Sequence, residues 1–436
     1  MKIEIPANLP EEFPRNLVHS LALVGGAALV GILTALLGVT FLNLLSHGNA
    51  LRQALVAQLQ DWPPGTGLAI LMLGTGACAV FGAFLVKRFS PNAAGSGVPY
   101  VERILRGTEA PNHYYVLPVK FLGGLVTLSS GLVLGREGPL VQMGSVVGER
   151  IGRLFRFMPN AWKPLMTAGA GAGLGTAFNA PVGGTLFILE EVLRKITPIG
   201  FVLAATAASC AALVQRGIFG MGQDFHVSES VSAGPATNLP LYFSFGLAVG
   251  FLGVAYNRYL LSLISKKSPA QKIPAIPRAL IIGLIVGAVA WFLPLDVSGG
   301  DDVTQHVLAG QGGIIILLTI ALARFVLGPL SYIAGTPGGL FAPIVTLGAL
   351  VGAASGAALH AAAPSMVPSP TSFAVAGMAA FFTASIRAPL TGIVICLEMT
   401  SCFSLFLPML ATCLGAYLIP TLLRDEPIYD ALAKPC

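Results

Sequence analysis

Residues 17–45 contain no Asp, Glu, Lys or Arg, and apolar runs of similar character recur to the end of the chain. About 20 such residues cross a hydrocarbon core. Inside lipid every backbone N–H and C=O must find its partner within the protein, so long runs of this kind fold as helices. The sequence therefore reads as an all-α polytopic membrane protein. Composition agrees, since only 10% of the 436 residues are charged and mean hydropathy is +0.79, whereas soluble domains carry far more charge. The 52 glycines and 31 prolines add that many helices are broken, tilted or closely packed. Ion and solute transporters build their sites from such interrupted helices.

The net charge of +6 reads as a topology signal rather than as nucleic-acid binding. Arg150, Arg153, Arg156 and Lys163 fall in one short loop, and Arg258, Lys266, Lys267, Lys272 and Arg278 in another. The positive-inside rule makes both loops cytoplasmic. Residues 219–238 hold Asp224 and Glu229 with no Lys or Arg, which places that loop outside. The six cysteines lack paired spacing and read as packing residues, and the six histidines form no metal-binding motif. No metal or cofactor is expected. The polar, acidic start MKIEIPANLPEEFPRN lacks the basic-then-apolar grammar of a cleaved signal peptide.

Helices are expected over 17–45 and 67–89, then a short one to 105, a span over 114–134, and pieces over 139–155, 163–178, 181–194 and 201–214. The second half offers 241–263, 278–293, 302–308, 314–333, a run ending at 362, then 373–386, 389–398 and 405–423. The chain thus forms one membrane domain: a first repeat over 17–218, a second over 239–423, and a short cytoplasmic tail over 424–436. That tail leaves no room for a soluble regulatory domain.

The stretch GLVLGREGPLVQMGSVVG (131–148) sets an ionisable pair, Arg136-Glu137, between glycines and a proline. An intramembrane carboxylate costs about a few kcal/mol unless something offsets it. Here the offset is local. Glycines allow a tight turn and Pro139 starts a helix. The free N–H groups and partial positive charge of that helix then face Glu137 or an anion that displaces it. The bland alternative is a connector in which Arg136 and Glu137 pair with each other. Two more turns follow the same glycine-to-proline pattern, GSGVP (95–99) and GTPGGLFAP (335–343).

The halves repeat. Residues 168–191, AGAGAGLGTAFNAPVGGTLFILEE, align without gaps on 376–399, AGMAAFFTASIRAPLTGIVICLEM, and GREGPLVQMGSVVG from Gly135 aligns on GLFAPIVTLGALVG from Gly339. Duplicated transporters often invert one repeat and bind at the interface. Glu137 and Phe341 become counterparts, one half bringing a carboxylate to the site and the other a phenyl ring. Ser96, Glu137, Leu340 and Phe341 can then converge. Backbone N–H groups and a serine hydroxyl bind an anion without a full positive charge, each helix end supplying about half an elementary charge. That suits an ion that must also leave. Glu137 competes for the same place: a neighbouring anion favours its protonated form, and ionised it can take the anion position itself. Glu190 has a counterpart in Glu398, which implies a structural role common to both halves. Glu191 faces Met399 in the alignment and is the more functional candidate, with a salt bridge to Arg194 or Lys195 as the structural alternative.

GSGVP, GREGP and GLFAP together resemble the signature set of the CLC chloride channels and transporters. The context is similar as well, in LPVKFLGG (117–124), AFNAPVGGTLFILEE (177–191), ASIRAPLTGIVICLEMT (384–400) and PIYDAL (427–432). The resemblance implies a fold of two inverted repeats with broken, tilted helices, and a homodimer with one pore per subunit. By it, Ser96 and Tyr429 coordinate chloride and form the inner gate, and the amides of Leu340 and Phe341 join them. Glu137 is the gating glutamate and Glu191 the internal proton-transfer glutamate. An acid at 191 favours an exchanger, and Ser96 is the residue expected for chloride. Tyr100 departs from the pattern, since some bacterial members are acidic there.

The reading is a secondary transporter of the cell inner (plasma) membrane that exchanges chloride for protons. The alternative is a passive, voltage- or pH-gated chloride channel with the same site. An intramembrane enzyme built on Ser96 or the glutamates lacks a base, metal ligand or paired nucleophile. A cation carrier is opposed by the converging helix N-termini.

Overall fold

The computed structural model describes residues 12–434 apart from 64, 156, 157, 159, 221–223, 228–230 and 233. Expectations that rested on Arg156, Glu229, Cys436 and the first eleven residues lie outside the described residues. The first half runs α1 (Leu17–Gln60), α2 (Thr66–Phe89), α3 (Val98–Leu105), α4 (Val116–Ser129), α5 (Glu137–Leu154), α6 (Trp162–Ala177), α7 (Pro181–Phe187) and α8 (Pro198–Phe219). The second runs α9 (Leu239–Ile264), α10 (Pro269–Lys272), α11 (Ala275–Phe292), α12 (Asp301–Leu308), α13 (Ile314–Ile333), α14 (Phe341–Ala362), α15 (Thr371–Ile386), α16 (Pro389–Thr400), α17 (Phe406–Leu422) and α18 (Ile428–Ala433). Among the described residues, eight helices are long and apolar enough to cross a membrane. The chain is a multi-pass membrane protein.

α6 and α15 form the centre. Every residue of Pro164–Ala177 and of Ser372–Ile386 is buried. Their sequences explain why. A Cβ on Gly144 of α5 would lie 2.1 Å from the carbonyl oxygen of Gly169 of α6, and one on Gly169 would meet Gly144 at the same distance. Only glycine lets these backbones approach so closely, which is the packing that helices use in lipid. The second half reproduces the contact at Gly348 and Gly377, where the corresponding distances are 2.2 and 2.3 Å.

Two further features relate the halves. Gly135 and Gly339 exchange both backbone hydrogen bonds, Gly135 N to Gly339 O at 2.8 Å and the reverse at 2.7 Å, in an antiparallel bridge. Glu398 accepts from the N–H groups of Val182 and Gly183 (3.1 and 2.7 Å) at the start of α7, while Glu190 accepts from Leu390 and Thr391 (3.1 and 2.7 Å) at the start of α16. Each carboxylate neutralises the unsatisfied donors and positive end of the other half's helix. Reciprocal contacts at aligned residues are what a two-fold axis between inverted halves produces.

Three expectations are corrected. The first helix continues past Leu45 to Gln60, its distal part tied down by Arg52 Nη1 donating to the Pro294 carbonyl at 2.8 Å. The span expected over 114–134 is helical only over Val116–Ser129, because Gly131 adopts a φ of +108° and the chain runs on non-helically to Gly135. The helix expected over 181–194 changes character at Ile188, where Ile188–Val192 form a π-turn that carries Glu190 and Glu191.

Candidate anion site

The three glycine-to-proline turns meet. Gly95 donates to the Thr336 carbonyl (3.0 Å) and accepts from the Gly338 N–H (3.1 Å), which joins the first turn to the third. The Gly135–Gly339 bridge joins the second to the third. Gly138 closes the set, since a Cβ there would lie 2.7 Å from Ser96 Cα and 2.9 Å from Gly339 Cα. α3, α5 and α14 therefore start within one small volume, and their N-termini point their free N–H groups at it.

Glu137 is the first residue of α5 and only 1% exposed. Its Oε1 accepts from the Phe341 N–H at 2.7 Å, so the carboxylate sits on the first amide of α14. Among the described residues, its other oxygen, Oε2, makes no hydrogen bond of normal geometry. The glycines around it are required: a Cβ on Gly135 would lie 2.0 Å from Oε2, and one on Gly339 2.1 Å from Oε1. Arg136 does not pair with Glu137. Its guanidinium goes to Asp224 and Asp301 (3.3 and 3.2 Å), which disposes of the bland alternative.

Ser96 is fully buried just before α3, and among the described residues its Oγ makes no hydrogen bond of normal geometry. A hydroxyl in that state is a donor free for an anion. Tyr429, on α18, is also fully buried, and its hydroxyl faces Ser96. Leu340 is the N-cap of α14, and Phe341, its first residue, packs its ring between Phe178 (centroids 4.5 Å apart) and Phe382 (4.3 Å). Ser96, Glu137, Leu340, Phe341 and Tyr429 thus come together.

Glu191 does not join them. It is 3% exposed on the π-turn, with Oε1 3.4 Å from Arg194, so the ion pair weighed as the structural alternative is present. Arg194 in turn holds Asp430 at 2.7 Å, and Asp430 is the residue after Tyr429. Glu191, Glu190, Arg194, Arg387 and Asp430 line a cleft of about 800 Å³. The two glutamates therefore sit in different places, Glu137 at the converged turns and Glu191 on the cleft.

Sequence reasoning passed over Lys120. It is fully buried in α4 and donates to the carbonyls of Ala93 and Gly95, immediately behind Ser96. The signal was present, as Lys120 is the one charged residue between Val116 and Ser129. Arg136's two carboxylate partners had no such signal, since they lie 88 and 165 positions away in the chain.

Fold and site define an all-helical membrane protein in which three helix N-termini and one carboxylate meet between repeated halves. The chain belongs to the voltage gated chloride channel family, whose profile matches residues 76–421. It is 37% identical over 428 residues to the H(+)/Cl(-) exchange transporter ClcA of Klebsiella pneumoniae, covering 95% of this chain and 89% of the relative. The protein of the same name from Salmonella paratyphi A is 37% identical over 423 residues, covering 94% and 88%. The structure superposes on a slow cyanobacterial Cl-/H+ antiporter with a TM-score of 0.89 and 30% identity, covering 94% and 97% of the two chains. A CLC-type fluoride/proton antiporter shares the fold, with a TM-score of 0.79 at 21% identity, covering 96% of this chain and 99% of the other.

Proposed function

We propose that this protein is a secondary active transporter that exchanges chloride for protons across the cell inner membrane. The observation that carries the reading is the Glu137 carboxylate on the Phe341 amide. A fixed anion on a helix N-terminus holds the place where a free anion is most favoured. One negative charge can use that seat at a time, so chloride enters as the carboxylate leaves, and the carboxylate leaves at low cost when protonated. Chloride and proton movement are thereby linked in opposite directions.

In this reading Ser96, Tyr429 and the amides of Leu340 and Phe341 hold chloride, and Glu137 is both gate and proton carrier. Glu191 receives the proton from Glu137 and passes it toward the cleft, a separate exit that keeps the proton off the chloride path. The basic end of α5 at Arg150 and Arg153 and the turn around Lys266 face the cytoplasm with the tail. The repeats extend over about 17–218 and 239–423. The transported ions are the partners, and no cofactor takes part. Two copies associate, each with its own pore. Exposed apolar side chains on α7, α16 and α17 (Val182, Leu390, Leu407 and Leu414) suit that contact or lipid.

The test is chloride-driven proton movement in liposomes. Wild type moves protons uphill when a chloride gradient is imposed, while Glu137→Gln and Glu191→Gln lose proton movement and still pass chloride. Chloride flux without uphill protons in wild type makes the protein a channel.

A further inference from the structure

Arg136 precedes Glu137, and its guanidinium is held on three sides: Asp224 Oδ2 at 3.3 Å, Asp301 Oδ2 at 3.2 Å and the Ala177 carbonyl, which accepts from Nε at 3.1 Å. The two carboxylates come from different elements and both are anchored. Phe225, beside Asp224, is buried and donates its N–H to the Met399 carbonyl at 3.0 Å. The His226 N–H donates to Gln305 Oε1, and Gln305 Nε2 donates back to the His226 carbonyl, each at 2.9 Å. Gln305 and Asp301 share α12. Residues 224–226 and α12 are therefore locked to each other and close on Arg136 together.

Arg136 also stands between two crevices. One of about 280 Å³ is lined by Ser46, Asn49, Gln53, Asp301 and Asp302, and one of about 240 Å³ by Asn179, Gln215 and Asp224; Arg136 lines both. On the charge-bias reading that puts residues 219–238 outside, these crevices form the outer mouth beside Arg136, the neighbour of Glu137. Other charged or titratable groups around the cluster are Glu137 on α5, His226 beside Asp224, Asp302 and His306 on α12, Arg324 of α13, whose charge acts on Asp301, and Arg52 of α1, whose charge acts on Asp302; Asp302 is engaged by Gln53 at 2.9 Å.

Resting on the chloride-transport reading, we propose that Asp224 and Asp301 are positioning residues that keep Arg136 from passing anions, and that protonation of Asp224 releases it to draw chloride into the outer mouth. The two carboxylates occupy the donor fork of Arg136 and so deny it to an anion. Neutralising one of them frees part of a planar donor fork suited to anions. Burial pushes the Asp224 carboxyl up to about 6 against the pull of Arg136, which places the release in a mildly acidic range.

The test uses the full chain in liposomes with Glu137→Gln as the background, which removes the gate's own titration, and equal pH on both sides. Chloride efflux from the Glu137→Gln protein is expected to rise about threefold or more between about pH 7.5 and 4.5, with its midpoint near the Asp224 value of about 6. Glu137→Gln/Asp224→Asn is expected to be fast and flat over that range. Glu137→Gln/Asp301→Asn is expected to be faster at neutral pH with its midpoint shifted down, because a neighbouring negative charge is gone. An Asp224→Asn profile that keeps the full pH dependence, in protein with an unchanged melting temperature, overturns the proposal. A flat profile already in the background variant also overturns it. No chloride flux from any variant overturns the transport reading and this inference with it.

Discussion

At Gly135 a hydrogen stands where any other side chain would strike the Glu137 carboxylate, 2.0 Å from an ideal Cβ. The backbone there is not in the left-handed region, so alanine is sterically allowed apart from that contact. Gly135→Ala therefore fills the seat with a methyl group and denies it to carboxylate and anion alike. The expected result is a turnover lower by about tenfold or more with the fold retained, and adding Glu137→Gln should not restore it. Turnover within about twofold of wild type would show that the seat lies elsewhere. The placing of Glu137 at the converged turns was legible because an acid between glycines and a proline in an apolar run has few innocent explanations. Lys120 carries the same kind of signal and was passed over, since LPVKFLGG looked like context for a motif rather than part of a site. Its role depends on which carbonyls it meets, Ala93 and Gly95, and they precede it by 27 and 25 residues.

Element by element, the caps on α7 and α16 are the clearest case of local sequence with a distant purpose. Ala180-Pro181 and Ala388-Pro389 mark the helix starts, and the alignment of Glu190 with Glu398 implied one role for both. What the alignment did not contain is that each glutamate serves the other half. Glu398→Ala leaves the Val182 and Gly183 amides without their acceptor and should lower stability by about 1–2 kcal/mol. Thermal unfolding in detergent reads the loss, and chloride-driven proton movement should persist because Glu398 lies outside the anion site. Loss of coupling with an unchanged melting temperature would contradict the structural role. Glu190 accepts a further bond from the Thr391 hydroxyl at 2.7 Å, so Glu190→Ala should destabilise more. The π-turn was not legible, because a single turn of altered pitch leaves no mark on apolar periodicity. The early end of α4 was foreseeable from Ser129-Ser130-Gly131, but the apolar residues after it read as more helix.

For the whole molecule, duplication made the architecture readable. Three turns with one grammar, in two halves that align over 168–191 and 376–399, leave few ways to arrange them, and the Gly135–Gly339 bridge joins the two glycines that the separate alignment of GREGP on GLFAP pairs. Long-range pairs such as Arg136 with Asp301 were not readable, because partly buried charges 165 positions apart carry no code for each other. The assembled halves hold one carboxylate against helix N-termini that would otherwise hold an anion, and the account stands or falls on that competition. The direct measurement is chloride affinity by calorimetry on purified protein at neutral pH, wild type against Glu137→Gln. Competition predicts that the neutral side chain tightens chloride binding by about threefold or more and removes the part of its pH dependence that the gate's own titration supplies. Equal or weaker binding in Glu137→Gln, with the wild-type pH dependence intact, would mean that the carboxylate and chloride do not share a seat.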